Sequence, residues 1–162
     1  MRITIAIALI GFATAAATTA TAQVDSGNAE LDNAIEMVRS VSRLERKVVI
    51  TDQLAMTNDE STAFWPVYNA YAAEIKAIDD RLAQLILDFA EHYENLPDEL
   101  ARTLVDDYLE IENDRLNVRQ KYVRKFDDVL APRKLARFIQ VENKLNVLTQ
   151  LYLADEIPLA LQ

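Results

Sequence analysis

No glycine occurs after Gly27. From Asn28 to Gln162 the chain therefore has no residue that takes up positive φ without a steric cost. Two-residue hairpin turns depend on such residues. So do phosphate-cradling loops, dinucleotide-binding turns and the elbow that presents a nucleophilic serine. All of these are excluded over most of the sequence. What remains is a chain of helices, punctuated by Pro66, Pro97, Pro132 and Pro158. Cysteine is absent and His92 is the single histidine, so disulfides, thiol nucleophiles and multi-His or Cys-ligated metal sites are also excluded.

The first 22 residues differ from the rest. Met1 and Arg2 give a positive start, Ile3 to Phe12 is an apolar run, and Ala20-Thr21-Ala22 offers an A-x-A site before Gln23. This is the pattern of a secretory signal peptide cleaved after Ala22. The apolar run is too short for the roughly 20 residues that span a bilayer. The sequence thus divides into a signal peptide (1–22), a polar linker (23–28) and a single all-helical domain (29–162). The net charge is −9, which argues against nucleic acid as a partner.

Four helices are expected. The first runs from about Ala29 to about Gln53, with Leu31, Ala34, Val38, Val41 and Val48 at helical spacing. The second opens with Thr57-Asn58-Asp59-Glu60, a capping box. It then carries Phe64, Tyr68, Tyr71, Ile75, Ile78, Leu82, Leu85 and Phe89 at alternating spacings of four and three, the period of a coiled-coil seam. Pro66 lies inside it, where a kink or break is expected. Pro97-Asp98-Glu99 restarts the chain as a third helix to about Leu130. Leu100, Leu104, Tyr108, Ile111, Val118, Tyr122 and Val129 face one way. Val105, Leu109, Leu116, Val123, Phe126 and Leu130 widen that face. Pro132 opens a fourth helix, and Pro158 closes it before a short apolar tail. Helices two and three are long, similar in length and joined by almost nothing, so they form an antiparallel hairpin. The fold class is all-α, built on a long central hairpin. Its apolar stripes are wide enough to call for an antiparallel homodimer.

Charge is segregated along this hairpin. Residues 88–114 hold ten acids and one base, whereas residues 115–144 hold nine bases and three acids. The acidic block falls at the hairpin turn and the basic block at its open end. The basic block includes aromatic side chains, which makes Arg115, Arg119, Lys121, Tyr122, Arg124, Lys125 and Phe126 the candidate partner-binding residues. Asp79-Asp80 and Asp106-Asp107 are paired carboxylates on amphipathic helices. They read as solvated faces rather than an acid–base pair, which needs a pocket. Asp88, Glu91 and His92 lie within one turn but offer too few ligands for a strong metal site. No catalytic residue, cofactor or metal is expected.

Met56-Thr57-Asn58-Asp59-Glu60, ahead of Phe64-Trp65-Pro66-Val67-Tyr68, resembles the L-T-x-x-Q element of the Spy/CpxP-like periplasmic proteins. Leu130-Ala131-Pro132-Arg133-Lys134 stands where that family has a second copy. The first copy has methionine for leucine and glutamate for glutamine; the second has alanine for threonine and lysine for glutamine. Phe64 to Tyr68, Val141 to Leu145 and Ile157-Pro158-Leu159 are more like uncharacterised secreted relatives at the edge of that family. The resemblance implies a curved four-helix antiparallel dimer in the periplasm. It also implies a role in envelope stress: an ATP-independent chaperone for unfolded polypeptides, an accessory that docks on a membrane signalling protein, or a metal-linked sensor.

Overall fold

A computed structural model describes residues 46–156, with side chains to Leu151. The predicted signal peptide, the linker, the first part of the first helix and the apolar tail with Pro158 lie outside the described residues. Four helices follow one another: α1 (46–54), α2 (Asn58–His92), α3 (Asp98–Asp127) and α4 (Pro132–Glu156). No strand occurs among the described residues, and no helix among them is long and apolar enough to cross a membrane.

The helix starts follow from local chemistry. Thr57 is extended (φ −68°, ψ 169°), and its hydroxyl accepts the Glu60 amide at 3.2 Å. The Glu60 carboxylate accepts the Thr57 amide at 2.8 Å, which completes the capping box. Pro97 precedes α3 with extended backbone, and Asp98 and Glu99 place negative charge at its positive end. Pro132 is the first residue of α4, where its missing N–H is not needed. α2 runs through Pro66 without a break, so of the expected kink or break the break does not occur. Pro66 is exposed, while Phe64 and Tyr68 on either side are buried in the core and hold the helix in place.

α1 leaves its last turn through Ala55, the one non-glycine residue with positive φ (43°) among the described residues. Helices commonly end this way on glycine; here the chain places alanine. The Lys134 ammonium donates to the Ala55 carbonyl at 3.1 Å and to the Glu60 carboxylate at 2.6 Å. One lysine on α4 thereby ties the end of α1 to the start of α2.

α2 and α3 form the antiparallel hairpin. Ion pairs cross it at Glu74–Lys121 (2.7 Å), Asp79–Arg115 (2.6 Å) and Arg81–Glu110 (3.1 Å). The molecule has two unlike ends. At the open end of the hairpin α1 and α4 close over α2 and α3, and the core is aromatic: Phe64, Tyr68, Tyr71, Tyr122, Phe126 and Phe138. The Phe126 and Phe138 rings are 4.5 Å apart, and Phe64 meets Phe138 edge to face at 5.3 Å. Such contacts add to the transfer energy of the rings themselves. Toward the turn only α2 and α3 remain. Ile78, Ala83, Ile86 and Ile111 are buried there, and Leu82, Leu85, Phe89, Leu100 and Leu104 are half-buried. This two-helix extension is the arm.

The predicted stripe of the first helix includes Val48, but Val48 is 69% exposed. α1 instead turns Ile50 and Leu54 into the core, fully buried. Two stripes compete on this short helix, and the ties from Arg46 and Arg137 to their partners set its rotation.

Candidate functional site

The candidate binding residues of the basic block do not form one surface. Tyr122 and Phe126 are buried at 3% and 1% exposure and belong to the aromatic core. Neither ring is open to a partner, which corrects that expectation, although the Lys121 and Lys125 ammonium groups lie 5.3 and 4.6 Å from the Tyr122 ring centroid. Tyr122 and Phe126 share the inner face of α3 with Ile111 and Val118. Arg115 is also buried; its guanidinium bonds Asp79 at 2.6 Å and Glu112 at 3.3 Å. It is an internal strut of the hairpin, where charge pairing offsets desolvation. Its partners hold its pKa above the usual arginine value despite burial.

Arg119 is half-buried and borders a shallow cleft of about 120 Å3 between α3 and α4. Tyr71, Tyr122, Phe126 and Phe138 line the cleft, with Glu142 on its edge. Burial, with the Glu142 charge second, pushes the Tyr71 hydroxyl up to about 12, so it is a neutral donor at physiological pH. Tyr122 is pushed up to about 12 by burial and by its 2.7 Å bond to Glu74. Lys121 is exposed and bonds Glu74, while Lys125 lies 4.6 Å from the Tyr122 ring centroid. Lys121, Arg124 and Lys125 are the exposed part of the predicted α3 patch. Arg133, Arg137 and Lys144 add exposed positive charge along α4.

Glu142 carries no distinctive signal in the sequence. It is buried, accepts the Arg46 guanidinium at 3.2 Å and lies 3.4 Å from the Tyr68 hydroxyl. Burial raises its pKa above 4.5, opposed by Arg46, Tyr68 and Arg119. The Tyr68 hydroxyl is raised above its ordinary range, first by burial and then by Glu142. No side-chain donor or acceptor in the described core is left without a partner. Saturated in this way, the cluster fastens α1 to α4 and offers no poised acid or base.

The other predicted sites have simple surroundings. Asp79 is held by Arg115 and Asp80 by Lys76. Asp106 and Asp107 are exposed. His92 is exposed at the end of α2, with Nδ1 2.9 Å from the Asp88 carbonyl oxygen. Among the described residues no group of three or more potential ligands converges on a metal position.

The feature the sequence concealed is on the arm. Val105, Leu109 and Leu116, expected to widen the core face of α3, are 59%, 59% and 52% exposed, and Tyr108 beside them is 47% exposed. They form a row along the outer side of α3 that no described residue covers. On α4, Val147, Leu148 and Leu151 are likewise more than half exposed. Isolated exposed apolar residues are common, but rows of them mark contact surfaces.

No known protein family, characterised protein or solved structure matches this chain.

Proposed function

We propose that this chain is a non-enzymatic, exported helical protein that binds other polypeptides, as an ATP-independent chaperone of the periplasm in envelope stress. The observation that carries the reading is the row of Val105, Tyr108, Leu109 and Leu116 on the arm, which no described residue covers. At about 25 cal/mol per Å2, covering such a row recovers several kcal/mol, enough for loose capture of exposed apolar segments. The Glu142 cluster is bonded on every side that is described, and Asp79 and Asp80 are ion-paired, which agrees with a binding rather than a catalytic role. The export pattern at residues 1–22 and the resemblance of Met56 to Glu60 to the Spy/CpxP-like element agree with this reading.

The reading includes a homodimer, paired through the outer face of α4 around Val147, Leu148 and Leu151. Sedimentation equilibrium of residues 23–162 tests it, and a single species of monomer mass would remove the dimer. The chaperone activity is tested by mixing the mature protein in excess with aggregating clients, without ATP. Slower aggregation of several unrelated clients is the expected result; no effect on any client would overturn the reading. A second reading, docking on a membrane signalling protein, draws on the same polarised arm. Crosslinking from envelope extract separates the two, since one dominant partner favours docking and many partners favour the chaperone.

A further inference from the structure

We infer that the outer row of α3 captures one chemical class of segment, the cationic amphipathic helix; this rests on the polypeptide-binding reading and names what that surface selects. Val105, Leu109 and Leu116 stand at i, i+4 and i+11, so they share one stripe of α3. They span about 16 Å at about 1.5 Å per residue, roughly three turns of a partner helix. The i+7 position of the stripe is Glu112, whose carboxylate accepts the Arg115 Nε at 3.3 Å. A stripe with this period on a helix fits a second helix laid along it, whose own i, i+4 and i+7 side chains fill the gaps. An extended strand repeats its side chains every second residue and lacks that match.

Charge selects among helices. Residues 98–114 contain seven acids and one base. The bases that reach the arm are held by ion pairs: Arg102 by Glu99, Arg115 by Asp79 and Glu112, and Arg81 by Glu110 and Asp114. Asp98 and Asp106 form no ion pair among the described residues. Asp98 lies in line with the apolar row at the start of α3, and Asp106 follows Val105 on its flank. Apolar anchors with uncompensated carboxylates beside them favour a helix whose apolar face is edged by lysine or arginine. They disfavour an acidic helix through like-charge repulsion. The selective surface is therefore the acidic arm, at the far end of the hairpin from the basic block.

The test uses the mature chain and three fluorescein-labelled peptides of about 18 residues, long enough for five helical turns. One is an amphipathic Leu/Lys helix, one is its scrambled isomer, and one has Glu for Lys. Fluorescence anisotropy at low salt should show the Leu/Lys helix binding at least about tenfold more tightly than either control. Binding should fall by about tenfold in Leu109→Ser/Leu116→Ser and by a smaller factor in Asp98→Asn/Asp106→Asn, with unchanged circular dichroism in both. Because Leu109 and Leu116 are exposed, both variants should keep the fold. Equal binding of the scrambled peptide, or undiminished binding by the serine variant, overturns the proposal. A shift of the serine variant from dimer to monomer also overturns it, because the row would then be an interface between copies. Aggregation suppression that persists in the serine variant sinks this proposal alone; its absence in the unaltered protein sinks the broader reading.

Discussion

Arg46 and Glu142 are 96 positions apart in sequence, yet their side chains meet at 3.2 Å against the aromatic core. The same guanidinium donates to Asn146 Oδ1 at 2.8 Å. One arginine thus holds α1 against two successive turns of α4.

Removing the anion alone should be severe. Glu142→Leu removes the carboxylate that the Arg46 guanidinium and the Tyr68 hydroxyl share, at an expected cost of about 3–5 kcal/mol. The double variant Arg46→Met/Glu142→Leu should recover most of that, since it buries neither charge. Urea unfolding of the two singles and the double gives the coupling directly. A double variant as unstable as Glu142→Leu would show that the pair stabilises more than its desolvation costs.

The pH dependence follows from the directions of the shifts. Burial raises Glu142 above 4.5, so the native state takes up its proton before the unfolded chain does. Its contribution to stability therefore grows as pH falls through the raised native value toward 4.5. Glu60 is lowered by the bond from Lys134 and then that from Thr57, and Glu74 by Lys121 and then Tyr122. Their contributions are complete above 4.5 and are lost as pH falls below it. Urea midpoints measured in steps from pH 7 to pH 3 should show both effects. The gap between wild type and Glu142→Gln widens in favour of wild type as pH falls toward 4.5. The gap between wild type and Glu60→Gln closes below 4.5.

Ala55 sits at φ 43°, where an L-residue with a Cβ is disfavoured. Ala55→Gly removes that conflict and should stabilise the protein by about 0.5–1 kcal/mol, net of the greater freedom glycine gives the unfolded chain. Thermal unfolding reads this as a rise of a few degrees. A fall would mean that the bond from Lys134 to the Ala55 carbonyl is lost in the variant.

The two apolar populations of α3 should respond differently to truncation. Phe126→Ala empties the centre of the aromatic cluster and should cost about 3–5 kcal/mol. Leu116→Ala, on the outer row, should stay within about 0.5 kcal/mol. Equal costs would mean that the outer row is covered in the intact protein.

Much of this architecture is legible in the residues. The capping box at Thr57 and Glu60 and the prolines at 97 and 132 mark helix starts, because those signals act within a single turn. The seam from Phe64 to Phe89 marks the hairpin, because every member is buried or half-buried. The rotation of α1 was not legible. Both the Val48 stripe and the Ile50–Leu54 pair have helical spacing, and contacts from α4 decide between them. The same limit applies to α3: periodicity shows that Val105, Leu109 and Leu116 lie together, but not that nothing described covers them. The bases around Tyr122 and Phe126 suggest a surface, while the register of the two rings places them inside. Glu142 carries no local signal, because its role depends on Arg46, far away in sequence.

The single tryptophan, Trp65, lies at the four-helix end, where it meets Phe64 and Tyr68 edge to face at 5.2 and 5.5 Å. The arm contains no second indole, so tryptophan emission is blind to half of the hairpin. A melt followed by Trp65 emission reports the loosening of the four-helix end, whereas far-ultraviolet ellipticity sums both ends. Any separation between the two midpoints measures how far the acidic arm frays independently of its anchorage, and so how pliant it is when it meets a partner.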